Sequence, residues 1–234
     1  MPTSYSPKTG DASILKNFES KRGRKAGMSS KKRPKETAAE FMVRLRSDPE
    51  WVRKHEEREA ALQVREARLR AELEPEEAPL LAELRSAGVM VRSNLDHRLG
   101  LKPEPAPIRS ISDLVNTRDS YSEAIPILVK HLAIVRHPVM VNSIARALAV
   151  KESRGTGAPR LILERLKQTG PCPNQSGDNY QARWALANSL TVVGDATLVE
   201  EIKLLIADSR FADVRDRLKD ALKHSSELAG KRTN

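Results

Sequence analysis

The sequence predicts an all-α protein: a short α-solenoid of about three helix pairs, preceded by charged helices and a disordered basic N-terminal tail. The clearest evidence is the stretch 180–206, where apolar residues at helical spacing lead up to Gly194 and resume after Asp195. Gly194 can end the first helix in the left-handed conformation, and Asp195 can accept hydrogen bonds from the first amides of the second. Neither helix buries its apolar stripe alone, so the pair needs neighbours.

The same apolar pattern recurs on both sides of that stretch. Ile144, Leu186 and Leu218 form one column, at intervals of 42 and 32 residues. Parallel columns stand four residues before and four residues after it: Met140, Ala182 and Val214, then Leu148, Leu190 and Leu222. The repeat is therefore regular in pattern and irregular in length. Aromatic residues make up only 3% of the chain, which suits thin helical layers.

Only part of the 234 residues is expected to enter a core, because 39% are hydrophobic and 31% are charged. The net charge of +10 is concentrated in residues 1–35, which hold ten Lys or Arg and two acidic residues. Cys172 is the only cysteine, which excludes an intramolecular disulfide and a multi-cysteine zinc site. No run resembles a secretion signal or is long enough to cross a membrane, so we expect a cytoplasmic protein without membrane contact.

Residues 1–35 are interpreted as a disordered basic tail, because they lack apolar periodicity. Two clusters of basic residues attract phosphates without base selectivity. The candidate nucleic-acid-binding residues are Lys21, Arg22, Arg24, Lys25, Lys31, Lys32, Arg33 and Lys35. A tail that only improves solubility remains an equal alternative, and nothing in it favours DNA over RNA.

Residues 36–98 are predicted to be a charged helical region. A short helix stops before Asp48, which can cap a longer helix that begins at Pro49. Between residues 51 and 73, charged side chains interrupt the apolar positions of a coiled-coil seam. A solvated helix that lies across other helices is therefore favoured over a coiled-coil dimer. Pro75 is expected to break this helix, and a further helix over 76–87 is closed by Gly88.

A Pro-rich linker is predicted at 99–112, because Pro103, Pro105 and Pro107 favour a stiff, extended connection. The repeat region follows at 113–234. Its first helix is interpreted as opening on a capping box at 120–123. The repeat departs from regularity at a long loop, 168–178, and loops of this kind sometimes carry contacts.

Three short motifs carry a resemblance to a known family: Glu-Ala-Ile-Pro-Ile-Leu at 123–128, Ile-Ala-Arg-Ala-Leu at 144–148 and Val193-Gly194-Asp195. Over residues 120–224 the chain resembles the HEAT-repeat family, particularly the bacterial HEAT-like type labelled with phycobilisome lyases. The resemblance implies stacked helix pairs. It leaves function open, because HEAT-like arrays serve as scaffolds, as enzyme subunits and, in one branch, as DNA glycosylases.

In arrays of this family the second helix of each pair lines the concave face. The resemblance therefore implies a protein-binding face on these second helices. Its four candidate residues are Asn142, Arg146, Trp184 and Asn188, and Asp216 and Asp220 belong to the same face. Trp184 is a natural binding anchor, although packing between neighbouring repeats is the alternative reading. Arg183 beside it is expected to be a solvated neighbour.

No catalytic residue, metal or cofactor is predicted. The histidines lack ligand spacing, and Gly155-Thr156-Gly157 is interpreted as a turn because the Lys of a phosphate loop is missing. The leading interpretation is a non-enzymatic scaffold or adaptor that binds a protein partner on its concave face. The alternative is a nucleic-acid-binding protein that uses the basic tail. A HEAT-like DNA glycosylase ranks third, with Asp178 and Trp184 as its only candidates.

Overall fold

A computed structural model of the chain describes residues 37–92, 104–117 and 119–232. This part of the chain is mostly helical, which confirms the all-α class. It holds nine α-helices, three short 3₁₀ segments and one pair of two-residue strands. The predicted basic tail and the first part of the predicted linker lie outside the described residues.

The second helix is much longer than the other helices of the described chain. The helices and strands are α1 (Ala38–Arg46), α2 (Pro49–Ser86), β1 (Met90–Val91), β2 (Ala106–Pro107), α3 (Ile111–Asn116), α4 (Ala124–Ile134), α5 (Pro138–Ala147), α6 (Ala158–Gln168), α7 (Gly177–Val193), α8 (Val199–Ala207) and α9 (Arg215–Arg232). The 3₁₀ segments are Lys151–Ser153, Ala196–Leu198 and Ser209–Val214.

The chain divides into two compact units, Met1–Glu59 and Ala60–Asn234. In the first, α1 begins after Thr37, whose side chain and that of Glu40 form a reciprocal capping box. Asp48 then caps the next helix as predicted, because its Oδ1 accepts the amides of Glu50 at 2.9 Å and Trp51 at 3.4 Å.

The expected break at Pro75 is wrong: α2 continues through Pro75 and Pro79 to Ser86. An interior proline costs about 3 kcal/mol because it removes a backbone hydrogen bond and crowds the preceding turn. Burial of Leu80 and Leu84 offsets that cost. The predicted stop at Gly88 is confirmed by its φ of 73°, a left-handed conformation that glycine adopts without strain.

The second half of α2 packs on the helices that follow it. Glu76 accepts the backbone amides of Arg136 at 2.9 Å and His137 at 3.1 Å, at the start of α5. Glu83 binds Lys130 of α4 at 2.6 Å. The charged helical region is therefore not separate from the later helices at this point.

The described part of the predicted linker packs against the same core. β1 and β2 pair antiparallel, with Met90 opposite Pro107. Ile108 is fully buried, and its carbonyl accepts a hydrogen bond from Arg85 Nε at 2.9 Å. The domain boundary that the prolines suggested stays a prediction, while Ile108 and Ile111 contribute to the core.

The helices from α4 onward pack in consecutive pairs, α4 with α5, α6 with α7 and α8 with α9. The second members α5, α7 and α9 also lie side by side, as do α4 and α6. The central predicted column, Ile144, Leu186 and Leu218, is fully buried. Helical periodicity thus located the core residues correctly.

The predicted capping box at 120–123 does not form. Helix α4 begins at Ala124, and Glu123 provides no side-chain cap. Instead Tyr121 is buried, and its hydroxyl donates to the carbonyl of Ala147 at 2.8 Å. Burial of the large tyrosine ring favours this conformation, because removing its apolar surface from water stabilises the fold more than a serine cap would.

Gly194 follows α7 but is not left-handed, with φ −54° and ψ 144°. The reason for glycine is close packing, because a Cβ would lie 2.6 Å from both the Leu190 carbonyl oxygen and Ser225 Oγ. Ser225 belongs to α9, so the absent side chain lets α9 approach the end of α7. Asp195 does cap the next turn, accepting the Thr197 amide at 2.8 Å.

Replacing Gly194 with alanine is expected to lower the free energy of unfolding by about 1–3 kcal/mol, because the new methyl group forces α7 and α9 apart. Urea unfolding followed by circular dichroism measures this change. Gly157→Ala is the matched control, since a Cβ there meets nothing within 4 Å. Equal stability of the two variants would contradict the close approach.

Candidate protein-binding surface

Helix α7 carries a stripe of half-buried side chains at intervals of four residues: Tyr180, Trp184, Asn188 and Val192. Leu186 and Leu190, on the other side of the helix, are fully buried. The stripe therefore faces outward along one side of α7. Two of its members, Trp184 and Asn188, are residues that the sequence proposed for protein binding.

Trp184 is both packed and accessible. It contacts the hydrophobic core and keeps part of its surface in solvent. The guanidinium of Arg217, from α9, lies 5.6 Å from the centre of its ring, within the range of a cation–π interaction. Arg217 in turn lies 3.3 Å from Asp220, one of the exposed acidic residues predicted for this face. Trp184 thus packs against its neighbours on one side and is accessible on the other, and its role as a binding anchor stays a prediction.

Arg183 is not a solvated neighbour of Trp184, as the sequence suggested, because its exposed fraction is 0%. Its Nε donates to both oxygens of Asp213, at 2.7 and 3.0 Å. Its Nη1 donates to the carbonyl and the hydroxyl of Thr169, at 3.0 and 2.7 Å, and its Nη2 to the carbonyl of Arg210. The guanidinium also stacks on Phe211, 4.5 Å from the ring centre.

This network explains why an arginine can be buried beside a half-buried tryptophan. Each guanidinium nitrogen has an acceptor, and the charge is matched by a carboxylate whose side chain is only 6% exposed. Arg183 joins α7 to the end of α6 and to the 3₁₀ segment before α9. No local sequence signal marks it, because its partners stand 14 to 30 residues away.

The other two predicted residues, Asn142 and Arg146, lie one turn apart on α5. Asn142 is half-buried and Arg146 is exposed. Arg146 lines a cavity of about 290 Å³ between α3 and α5, together with Tyr121 and Glu152. The Arg146 side chain therefore lies beside a cavity next to α3, whereas the Trp184 ring contacts Arg217 of α9.

Helices α5 and α7 approach closely between these two neighbourhoods. Ser189 of α7 donates its hydroxyl to the carbonyl of Ala145 on α5, at 2.7 Å. Small residues at such contacts let helix backbones approach, so the two halves of the predicted surface are held in a fixed relation. No hydrogen bond within the described chain joins Arg146 to Trp184 directly.

The remaining candidates take different positions. Asp216 is exposed and faces Lys219 at 3.4 Å. Asp178 is exposed at the start of α7, six residues before Trp184, and so lies on a different face of the helix. All eight proposed nucleic-acid-binding residues of the tail lie outside the described residues. Their role stays a prediction.

No cluster of three or more His, Cys, Asp or Glu within the described ranges could hold a metal ion. No helix in that part of the chain is long and apolar enough to span a membrane.

Comparison of the sequence with protein-family models finds no match, and neither does comparison with curated proteins or with solved structures.

Replacing Arg183 with methionine is expected to reduce the free energy of unfolding by about 3–5 kcal/mol, because Asp213 is left buried without a partner. Adding Asp213→Asn should restore a large part of the loss. Lys203→Ala, at an exposed pair, is the control and should change stability by no more than about 0.5 kcal/mol. Urea unfolding measures all of these, and a loss at Arg183 equal to the control would contradict the network.

Burial, together with the negative charge of Glu152, raises the pKa of Tyr121 to about 12. Because the folded pKa exceeds the value of about 10 in the unfolded chain, the tyrosine's contribution to stability is complete below pH 10. It is lost as the pH rises through 12. The difference in unfolding free energy between wild type and Tyr121→Phe should therefore shrink over this range. Parallel pH curves would contradict it.

Proposed function

We propose that this protein is a non-enzymatic helical-repeat scaffold or adaptor that binds a protein partner on the surface of α5, α7 and α9. The observation that carries the proposal is Trp184, a half-exposed tryptophan that contacts Arg217 on one side and packs against the hydrophobic core on the other. Tryptophan and arginine are the residue types that contribute most to binding energy at protein interfaces.

These contacts matter because association costs the ordering of side chains. Trp184 is already restricted by the core and by Arg217, so a partner need not immobilise it. The helices that present it are fixed to each other by the Ser189 contact and by the close approach at Gly194. A rigid surface of this kind suits a scaffold.

A HEAT-like α-solenoid is the architecture that we propose for α4 to α9. The pairing of consecutive helices supports it, as does the side-by-side packing of α5, α7 and α9. In such an array these second helices would form the concave face. Asn142, Arg146, Trp184 and Asn188 would then line it.

The charges of the surface favour a protein over a nucleic acid as the ligand of this face. Arg146 lies near Glu152, and Arg217 near Asp220, so positive charge is interspersed with negative charge. Nucleic-acid binding depends on a continuous positive surface. The tail of residues 1–35 remains the candidate for that alternative, on the strength of its composition alone.

The experiment places a photo-cross-linking amino acid at Asn188 and, as a control, at exposed Lys203, in protein expressed in its native cells. A partner should cross-link from position 188 and not from position 203. The captured protein is then purified and titrated. In a Trp51→Phe background Trp184 is the only tryptophan, so its emission reports binding directly.

Trp184→Ala is expected to weaken that binding by about 2 kcal/mol or more, and Arg146→Glu should weaken it as well, while Lys203→Ala leaves it unchanged. Circular dichroism confirms that each variant is folded. Removal of residues 1–35 should have no effect. Unchanged capture by Trp184→Ala and Arg146→Glu would contradict the proposal, and loss on removal of the tail would favour the nucleic-acid alternative.

A further inference from the structure

A second cleft, of about 440 Å³, shares no lining residue with the Trp184 stripe of α7. It lies where the turn between α4 and α5 meets the end of α6, the loop that follows it and the start of α7. The sequence had marked this loop as longer than a tight turn. Residues that line the cleft include Arg136, Arg165, Gln168, Cys172 and Asn179.

The lining residues carry a net positive charge. Two arginines line the cleft and no aspartate or glutamate is among the lining residues, although the Glu76 carboxylate binds the backbone amide of Arg136 at 2.9 Å. The other polar groups are a glutamine, an asparagine, a threonine and the thiol of Cys172. Amides and guanidinium groups donate hydrogen bonds to anions, whereas the Thr169 hydroxyl already donates to the Leu166 carbonyl at 2.6 Å.

Arg165 brings a partly buried charge without a carboxylate partner. Its Nη2 donates to the carbonyl of Val135 at 2.6 Å and its Nη1 to the amide oxygen of Gln168 at 3.3 Å. Neither acceptor carries a charge, and Arg165 forms no ion pair within the described chain. Burial lowers the pKa of Arg165, and the more distant charge of Glu76 opposes this effect.

Arg136 adds a second positive charge at the rim. Glu76 binds its backbone amide at 2.9 Å, so the backbone is anchored while the side chain is exposed. The guanidinium forms no ion pair with any described residue. The exposed Arg136 and the partly buried Arg165 therefore give the cleft two positive charges that form no ion pair with any described residue.

The far wall of the cleft is fixed by the Arg183 network. Thr169, at the start of the loop, is held through both its carbonyl and its hydroxyl by Arg183, which is itself bound to Asp213. A ligand would therefore meet a wall whose position is already determined, which reduces the entropy cost of binding.

We propose that this cleft binds a phosphate group, as inorganic phosphate or as a phosphomonoester on a peptide. A phosphomonoester carries close to two negative charges at neutral pH and three acceptor oxygens, which match two guanidinium groups and the neighbouring amides. Arginine binds phosphate through paired hydrogen bonds, and the third oxygen and second charge of a phosphomonoester distinguish it from a carboxylate. This site is independent of the proposed partner surface.

Cys172 supplies a direct readout, because it is the only cysteine in the chain and lines the cleft. The rate of its alkylation by uncharged iodoacetamide is measured on the full chain with increasing inorganic phosphate, at constant ionic strength with chloride. Phosphate should slow the reaction and the effect should saturate. Parallel titrations with a phosphoserine peptide and with its unphosphorylated form show whether a free ion or a peptide-borne group binds better.

Arg136→Gln should weaken the protection at least about tenfold, as expected for the loss of one charge-assisted hydrogen bond. Arg165→Gln should weaken it at least as much. Arg109→Gln, which removes one exposed positive charge elsewhere, is the matched control and should protect like wild type. Trp184→Ala should also leave protection intact, so this proposal and the proposed function can fail separately.

The proposal is overturned if inorganic phosphate and the phosphoserine peptide protect Cys172 no better than chloride does. It is also overturned if Arg136→Gln is protected as well as wild type. Because Arg136 is exposed, this variant should fold even if Arg165→Gln does not, and the test remains decisive.

Discussion

The buried ion pair between Arg183 and Asp213 is the constraint on which this structure most depends. A charge without solvent must keep its partners, so the segments that supply them cannot move independently. Thr169, Arg210 and Asp213 come from both sides of α7, and Arg183 fixes the rotation of that helix about its axis. The next residue, Trp184, is thereby directed outward. One buried guanidinium thus positions both the tryptophan surface and the wall of the basic cleft.

Local periodicity was sufficient to predict the all-α class and most of the core. Ile144, Leu186 and Leu218 are buried because helical spacing alone places them on one face. The errors arose where distant contacts outweigh local preference. Pro75 does not end α2, since leucines further along the helix are buried by other elements. Gly194 reflects the approach of α9, which contacts it through Ser225, 31 residues later in the chain, and no turn preference predicts that contact.

The candidate surface was predicted in part. Periodicity placed Trp184 and Asn188 on one outward stripe of α7, but it could not show that Arg146 opens toward α3 instead. No sequence pattern indicated the basic cleft, although the sequence predicted the long loop at 168–178 that lines it. Arg136, Arg165 and Asn179 come from three different helix ends, and each is an ordinary polar residue in its own segment. Only their assembly creates a concentration of positive charge.

The contact between Glu76 and the start of α5 also bears on how the chain is made. Glu76 caps amides that stand 60 and 61 residues later. At roughly 5–20 residues per second, the ribosome needs several seconds to synthesise that interval. During this time Glu76 and the surface of α2 around it lack the segment that they bind in the folded protein. The nascent chain therefore exposes this part of α2 before its counterpart exists, and transiently exposed surface is what chaperones protect during translation.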